Sequence, residues 1–225
     1  FPYFRATTVS MDDQRKAPLT GAESVRWDLT PFYQGLDDPK IDADLTAVAA
    51  RAKAFSAAYK GRLDRQLGAA ITEYAEIGML SMRVMDFLFL LGSTNLGDAA
   101  VNAKKADADQ RLSQVSGEHL TFFALEIGKL DESALLAQKE RDAVVAKHWP
   151  FITQIRRFTP HFLSEEVESA LTMRGMFGAS AWGEFFDEVE DDVRFAFEDA
   201  LKTQKEILHV VNNDPSAVRR AAALD

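Results

Sequence analysis

His119, His148, His161 and His209 are the only side chains of this sequence that offer a transition metal nitrogen, and no cysteine adds a thiolate. No two of them stand at i and i+4, and no His-Glu-x-x-His occurs, so no zinc-protease helix is written here. His119 follows Glu118 on a mixed face, His148 precedes Trp149-Pro150, and His161 follows Pro160 at a corner; packing and hydrogen bonds at helix ends account for each. Asp187-Glu188-Val189-Glu190-Asp191-Asp192 has oxygens enough for a divalent cation. On a helix those carboxylates fan around an arc into solvent instead of converging on one centre. No Gly-x-Ser-x-Gly frames a nucleophile, and no Gly-rich loop could cradle a phosphate. Arg156-Arg157 and Arg219-Arg220 are too small for a nucleic-acid footprint. The sequence therefore nominates no catalytic, cofactor-binding or metal-ligating residue.

The acidic run lies on a helix with a second property. Trp182, Phe185, Phe186, Val189 and Val193 recur at helical spacing, while Glu184, Asp187, Glu188, Asp191 and Asp192 fill most of the remainder. The expectation is a helix that buries the aromatic stripe and turns its acids outward.

Composition narrows the class. A chain of 225 residues, 47% apolar and 27% charged, can build a proper core without staples. The net charge of −9 argues against a nucleic-acid partner. The lack of cysteine fits a reducing compartment and a cytoplasmic location. The most apolar run, Ile77–Leu91, is too short to span a bilayer and is interrupted by Arg83 and Asp86, so no membrane partner is expected. No signal peptide is evident at the start, where residues 1–10 precede Met11 and read as an appended or processed leader.

Helical periodicity runs through nearly all of the rest. Residues 1–24 are polar and aperiodic, and Trp27–Tyr33 reads as an irregular segment docked by its aromatics. Asp38-Pro39 opens a first helix whose Ile41, Leu45, Val48, Ala52, Phe55 and Tyr59 share a face, ending near Gly61. Further helices are expected over about 67–91, over 98–129 capped by Asp98, and over 132–157 with a break near Trp149 imposed by Pro150. Ser164-Glu-Glu-Val167 is a capping signature for a fifth, and the acidic helix from 180 is the sixth. Helices over 204–211 and 215–224 follow, the last with Asp214 as cap and Pro215 at its first position. The expected fold is all-α, an antiparallel bundle of long helices with one short β pair near 194–198.

Four segments, in order, resemble the oligoendopeptidase F family of zinc metallopeptidases, which is thimet oligopeptidase-like. Trp27-Asp-Leu-Thr-Pro-Phe-Tyr-Gln-Gly-Leu-Asp-Asp-Pro39 is similar to its opening Trp-Asp-Leu segment, and His161-Phe-Leu-Ser-Glu-Glu-Val-Glu168 to a helix corner. Ser180-Ala-Trp182 with Phe186-Asp187-Glu188 and Arg194-Phe195 is similar to a third stretch, and Asn213-Asp-Pro-Ser-Ala-Val-Arg-Arg-Ala-Ala-Ala223 to a fourth. The sequence departs from the family at Gly175-Met-Phe-Gly178, where a Thr-Gly turn would be expected.

The resemblance implies an N-terminal, non-catalytic part. The family holds zinc with a His-Glu-x-x-His helix and a later Glu, and no residue here matches those positions. Zinc would belong to the parent enzyme and none to this chain. Residues 25–200 would form a helical N-terminal domain, one wall of a channel that admits oligopeptides, with 1–24 as a leader. Residues 201–225 would begin the connection to a C-terminal catalytic domain, in the same polypeptide or as a separate fragment. Ile207, Leu208, Val211, Val218 and Leu224 would lie uncovered without that domain, so self-association through 207–224 is expected. The contrasting reading is a free-standing helical module that binds a protein partner.

Overall fold

The computed structural model describes residues 28–93 and 97–224. Trp27 and the leader, on which two expectations fall, lie outside them.

Helix α1 (Pro39–Tyr59) starts where the sequence says it must. The Asp38 carboxylate accepts from the Lys40 amide at 2.9 Å, and Pro39 takes the first position, where no amide proton is needed. Ile41, Leu45, Val48, Ala52 and Phe55 are all buried. The helix stops at Gly61, whose φ of +75° only glycine adopts without strain. The chain then doubles back as α2 (Leu63–Gly92) against α1. Asp98 caps α3 (Ala99–His119) by accepting from the Ala100 and Val101 amides.

The helix expected over 98–129 is two helices. It breaks at Leu120, and α4 (Thr121–Lys129) buries Phe122, Phe123, Leu125 and Ile127. Four apolar residues so closely spaced cannot share one stripe of a continuous surface helix. The break sinks α4 into the bundle, where more than one of its faces is covered. Phe55, Tyr74, Phe122, Phe123 and Phe151 form the aromatic centre, with Tyr74 stacked on Phe123 at 4.5 Å between centroids.

The segment 132–157 also breaks, at two joints. One is the expected joint at His148, with Pro150 in the first turn of α7 (Trp149–Phe158). The other is Asp142, which separates α5 (Glu132–Arg141) from α6 (Ala143–Lys147) and accepts from the Val144 amide at 2.8 Å. Asp142 reaches this position because Gly68 of α2 presents no side chain; a Cβ there would overlap the carboxylate. Gln138, the one buried polar residue among those described, donates to the Asp64 carbonyl at 2.9 Å and ties α5 to the start of α2.

A 3-10 turn (Thr159–His161) leads to α8 (Glu165–Arg174), which lies across α3 and α4. Ser164 precedes α8 as expected, and Glu168 accepts from the Leu163 amide at 2.8 Å. Helix α8 approaches so closely that a Cβ on Gly117 would sit 2.9 Å from the Ser169 carbonyl oxygen. The Ser169 hydroxyl instead donates to the Gly117 carbonyl at 2.6 Å. A second 3-10 turn (Gly175–Phe177) precedes α9 (Ala179–Asp192).

The remainder folds on itself. β1 (Phe195–Phe197) pairs antiparallel with β2 (Ala200–Lys202), Ala196 opposite Leu201. Helix α10 (Gln204–Asn213) opens with a capping box between Thr203 and Glu206, and α11 (Ala217–Ala222) follows. The expected start of α11 needs correcting: Ser216 is its cap and Pro215 lies outside it. Asp214 terminates α10 and accepts from the Ser216 amide at 2.8 Å. The architecture is thus all-α with a single short β pair among the described residues.

Candidate functional site

The bundle proper is closed, and its charged clusters are already occupied. A concavity of about 490 Å³ between α1 and α3 is lined by Asp38, Asp42, Lys104 and Asp107. Asp42 there accepts from both Lys104 and Arg111 at 2.8 Å, which holds its carboxyl below the usual carboxylate range. At the α1–α2 turn the Glu126 carboxylate accepts from the Gly61 amide at 2.8 and 3.0 Å. Burial pushes that carboxyl up, and the amide bond only partly opposes it. Lys60 beside it pairs with Glu165 of α8 and lies over the Phe122 ring. These are joints between helices.

The histidines stay apart. His119 ends α3 with its ring 3.8 Å from Glu118, and His148 sits at the joint between α6 and α7. His161 is exposed in its 3-10 turn, and His209 on α10 faces Asn213 at 3.2 Å. Among the described residues no group of three or more His, Asp and Glu could hold a metal ion. Zinc does not fit the donor set of the described residues. No described helix is long and apolar enough to cross a membrane.

The open surface is α9 and the chain beyond it. The aromatic stripe that periodicity assigns to the interior is exposed: Trp182 is 72% accessible, and Phe185, Phe186, Val189 and Val193 are exposed with it. Helix α9 packs chiefly on the 3-10 turn before it, so no helix of the bundle covers the stripe. Trp182 and Phe185 meet edge to face at 6.1 Å, a contact within the stripe itself. Asp187, Glu188 and Asp192 are exposed along the same helix.

Beyond α9 the β pair, α10 and α11 form a small unit around Phe197 and Ile207. Arg219 organises it: its guanidinium donates to Glu198 at 2.8 Å and Asp214 at 2.7 Å and lies over the Phe197 ring at 5.7 Å. Arg220 donates to the Asp214 carbonyl at 2.6 Å. The Arg219-Arg220 pair is therefore structural. Of the C-terminal apolar residues expected to lie open, Ile207 is buried instead, while Leu208, Val218 and Leu224 are exposed.

The segment from the end of α4 through α9 to β1 decides the relationship. Residues 126–195, under a third of the chain, match the family model for the N-terminal domain of M3 peptidases, described as oligopeptidase F. This stretch is similar to the oligopeptidase F N-terminal domain. It contains the His161–Glu168 corner and the Ser180–Phe195 stretch, hence both α8 and the exposed α9. No curated relative and no solved structure matches the chain. An oligopeptidase F N-terminal domain is a metallopeptidase part, and it implies a catalytic domain as partner and peptides as substrates.

Proposed function

We propose that the chain is the helical N-terminal domain of an oligopeptide-cleaving zinc metalloendopeptidase and forms one wall of its substrate channel. The family match over residues 126–195 carries this reading. A wall needs rigidity, and the fully buried centre of α1, α2, α4 and α7 supplies it: Phe55, Phe122, Phe123 and Ile152 are each at most 2% exposed. Packed helices make a fixed opening, which passes unstructured peptides and stops folded proteins by size.

On this reading residues 25–200 make the wall and 201–225 begin the connection to the catalytic domain. The connection is itself folded, since the β pair straddles position 200 and Arg219 locks it. The exposed Leu208, Val218 and Leu224 give the catalytic part, or a second chain, an apolar surface to cover. Zinc would be held by the catalytic part, and the cysteine-free composition supports a cytoplasmic location.

The test is to express the complete reading frame from which this chain comes and to compare it with residues 1–225. The complete product should cleave a quenched fluorescent oligopeptide, spare a folded protein, and lose activity to a zinc chelator that restoring zinc reverses. A complete product that cleaves no peptide under any metal loading would leave only the reading of a helical interaction module.

A further inference from the structure

The exposed face of α9 has a spacing, a charge and an electrostatic imbalance that together specify what can cover it. Trp182, Phe185, Phe186 and Val189 stand at i, i+3, i+4 and i+7. That is the spacing with which a helix presents one apolar seam to a partner helix. All four are exposed, and the two neighbouring rings at 182 and 185 touch each other across 6.1 Å.

Charge selects the partner further. Positions 175–193 carry six acids and no Lys or Arg, so two thirds of the net charge of −9 falls on these few residues. Glu188 and Asp192 are exposed beside the seam, while Asp187 lies on the opposite side of the helix. Asp187 and Glu190, and Glu188 and Asp192, stand one turn apart, where like charges repel. The acids also crowd the C-terminal end of α9, where the helix dipole is already negative and Arg194, donating to the Val193 carbonyl at 2.9 Å, offsets only part of their charge. An uncovered α9 thus carries an unpaired apolar seam and an excess of negative charge.

We propose that α9 is a docking helix for a cationic amphipathic helix, one whose apolar seam is bordered by Lys and Arg. Such a partner covers the four apolar residues, sets its bases against Glu188 and Asp192, and relieves the repulsion between them. A second copy of this chain is disfavoured as the occupant, because it would bring six more acids to the same place. The inference does not rest on the peptidase reading and can stand if that reading fails.

The test uses the whole chain and two labelled peptides patterned as amphipathic helices, one of leucine and lysine, one of leucine and glutamate. Fluorescence anisotropy should show the lysine peptide binding, more weakly as salt rises, and the glutamate peptide not. Trp182→Ala with Phe186→Ala should weaken binding about tenfold or more with an unchanged circular dichroism spectrum. Phe89→Ala, which removes an exposed aromatic on α2, should leave it unchanged. Glu188→Lys with Asp192→Lys should weaken binding of the lysine peptide and remove its preference over the glutamate peptide. No binding of the lysine peptide, equal binding of both peptides, equal loss in Phe89→Ala, or sedimentation showing dimers lost on changing Trp182 would each overturn the proposal.

Discussion

Helices α1 and α9 carry the same kind of apolar stripe, and their fates are opposite. In α1 the stripe Ile41, Leu45, Val48, Ala52 and Phe55 is buried against α2 and α3. In α9 the stripe Trp182, Phe185, Phe186 and Val189 faces solvent. The first is followed by an antiparallel neighbour joined through a tight glycine turn, so its apolar face is covered at once. The second is followed by a small unit that closes on its own Phe197 and Ile207 and leaves α9 bare. A stripe says which face of a helix is apolar; the chain's later course decides whether anything covers it. Bundle and arm should therefore answer perturbation differently, and the contrast can be broken at defined points.

The largest effect is expected in the bundle. Phe123 is fully buried and touches Phe55, Tyr74 and Phe151. Phe123→Ala should cost about 3–5 kcal/mol in urea melts. A loss under about 1 kcal/mol would mean the aromatic centre is not tightly packed. Next comes Gln138→Ala, which empties a buried position and cuts the tie from α5 to the Asp64 carbonyl at the start of α2. It should cost about 1–3 kcal/mol, and Gln138→Glu should do no better, since it removes the donor.

Arg219→Ala tests the arm. It removes both carboxylate contacts and the cover over Phe197. Amide exchange should speed up across 195–222 while α1, α2 and α4 keep their protection. Uniform loosening of both regions would show that the arm and bundle unfold as one.

A subtler effect concerns Glu126. Burial raises its folded-state pKa above the unfolded value, so the fold holds that proton longer than the unfolded chain does. Stability from this group is greatest below the ordinary carboxylate pKa, falls as pH rises through the raised one, and is level above. Glu126→Gln should remove that fall, which sets in as pH rises past the ordinary carboxylate range, in urea melts. A steeper fall in the variant would reverse the sign of the argument. The smallest effect is predicted for Trp182→Ala, within about 0.5 kcal/mol, because the side chain is exposed. An equilibrium loss rivalling that of Phe123→Ala would mean α9 is covered in solution.

The parts of the fold legible in the sequence divide along the same line. Asp38-Pro39, Asp98 and Pro150 mark helix starts and a break because their chemistry is local: a carboxylate meets a free amide, or a ring excludes one. The breaks at Leu120 and Asp142 carry no proline or glycine and arise from tertiary demands, the sinking of α4 and the space left at Gly68. Asp214 resembles a cap because Pro215 follows it, yet its carboxylate is used by Ser216 and Arg219. The histidines are legible as unrelated groups, since no spacing joins them. The role of Arg219 is not, because Glu198, its partner, lies across a β turn that only the folded chain closes.

The contacts at the α1–α2 turn have a mechanical meaning. Lys60 grips Glu165 at the head of α8, and the Gly61 amide is held by Glu126 of α4. Helix α8 leads directly into the segment that ends in α9. A pull on α9 is therefore passed along α8 to a rivet at the opposite end, which anchors it to the deeply packed hairpin of α1 and α2. The arm is a lever with a fixed fulcrum. Whatever seats on its seam would meet α8 as a fixed bar, held along its length by α3 and at its head by Lys60, before it could disturb the aromatic centre beneath.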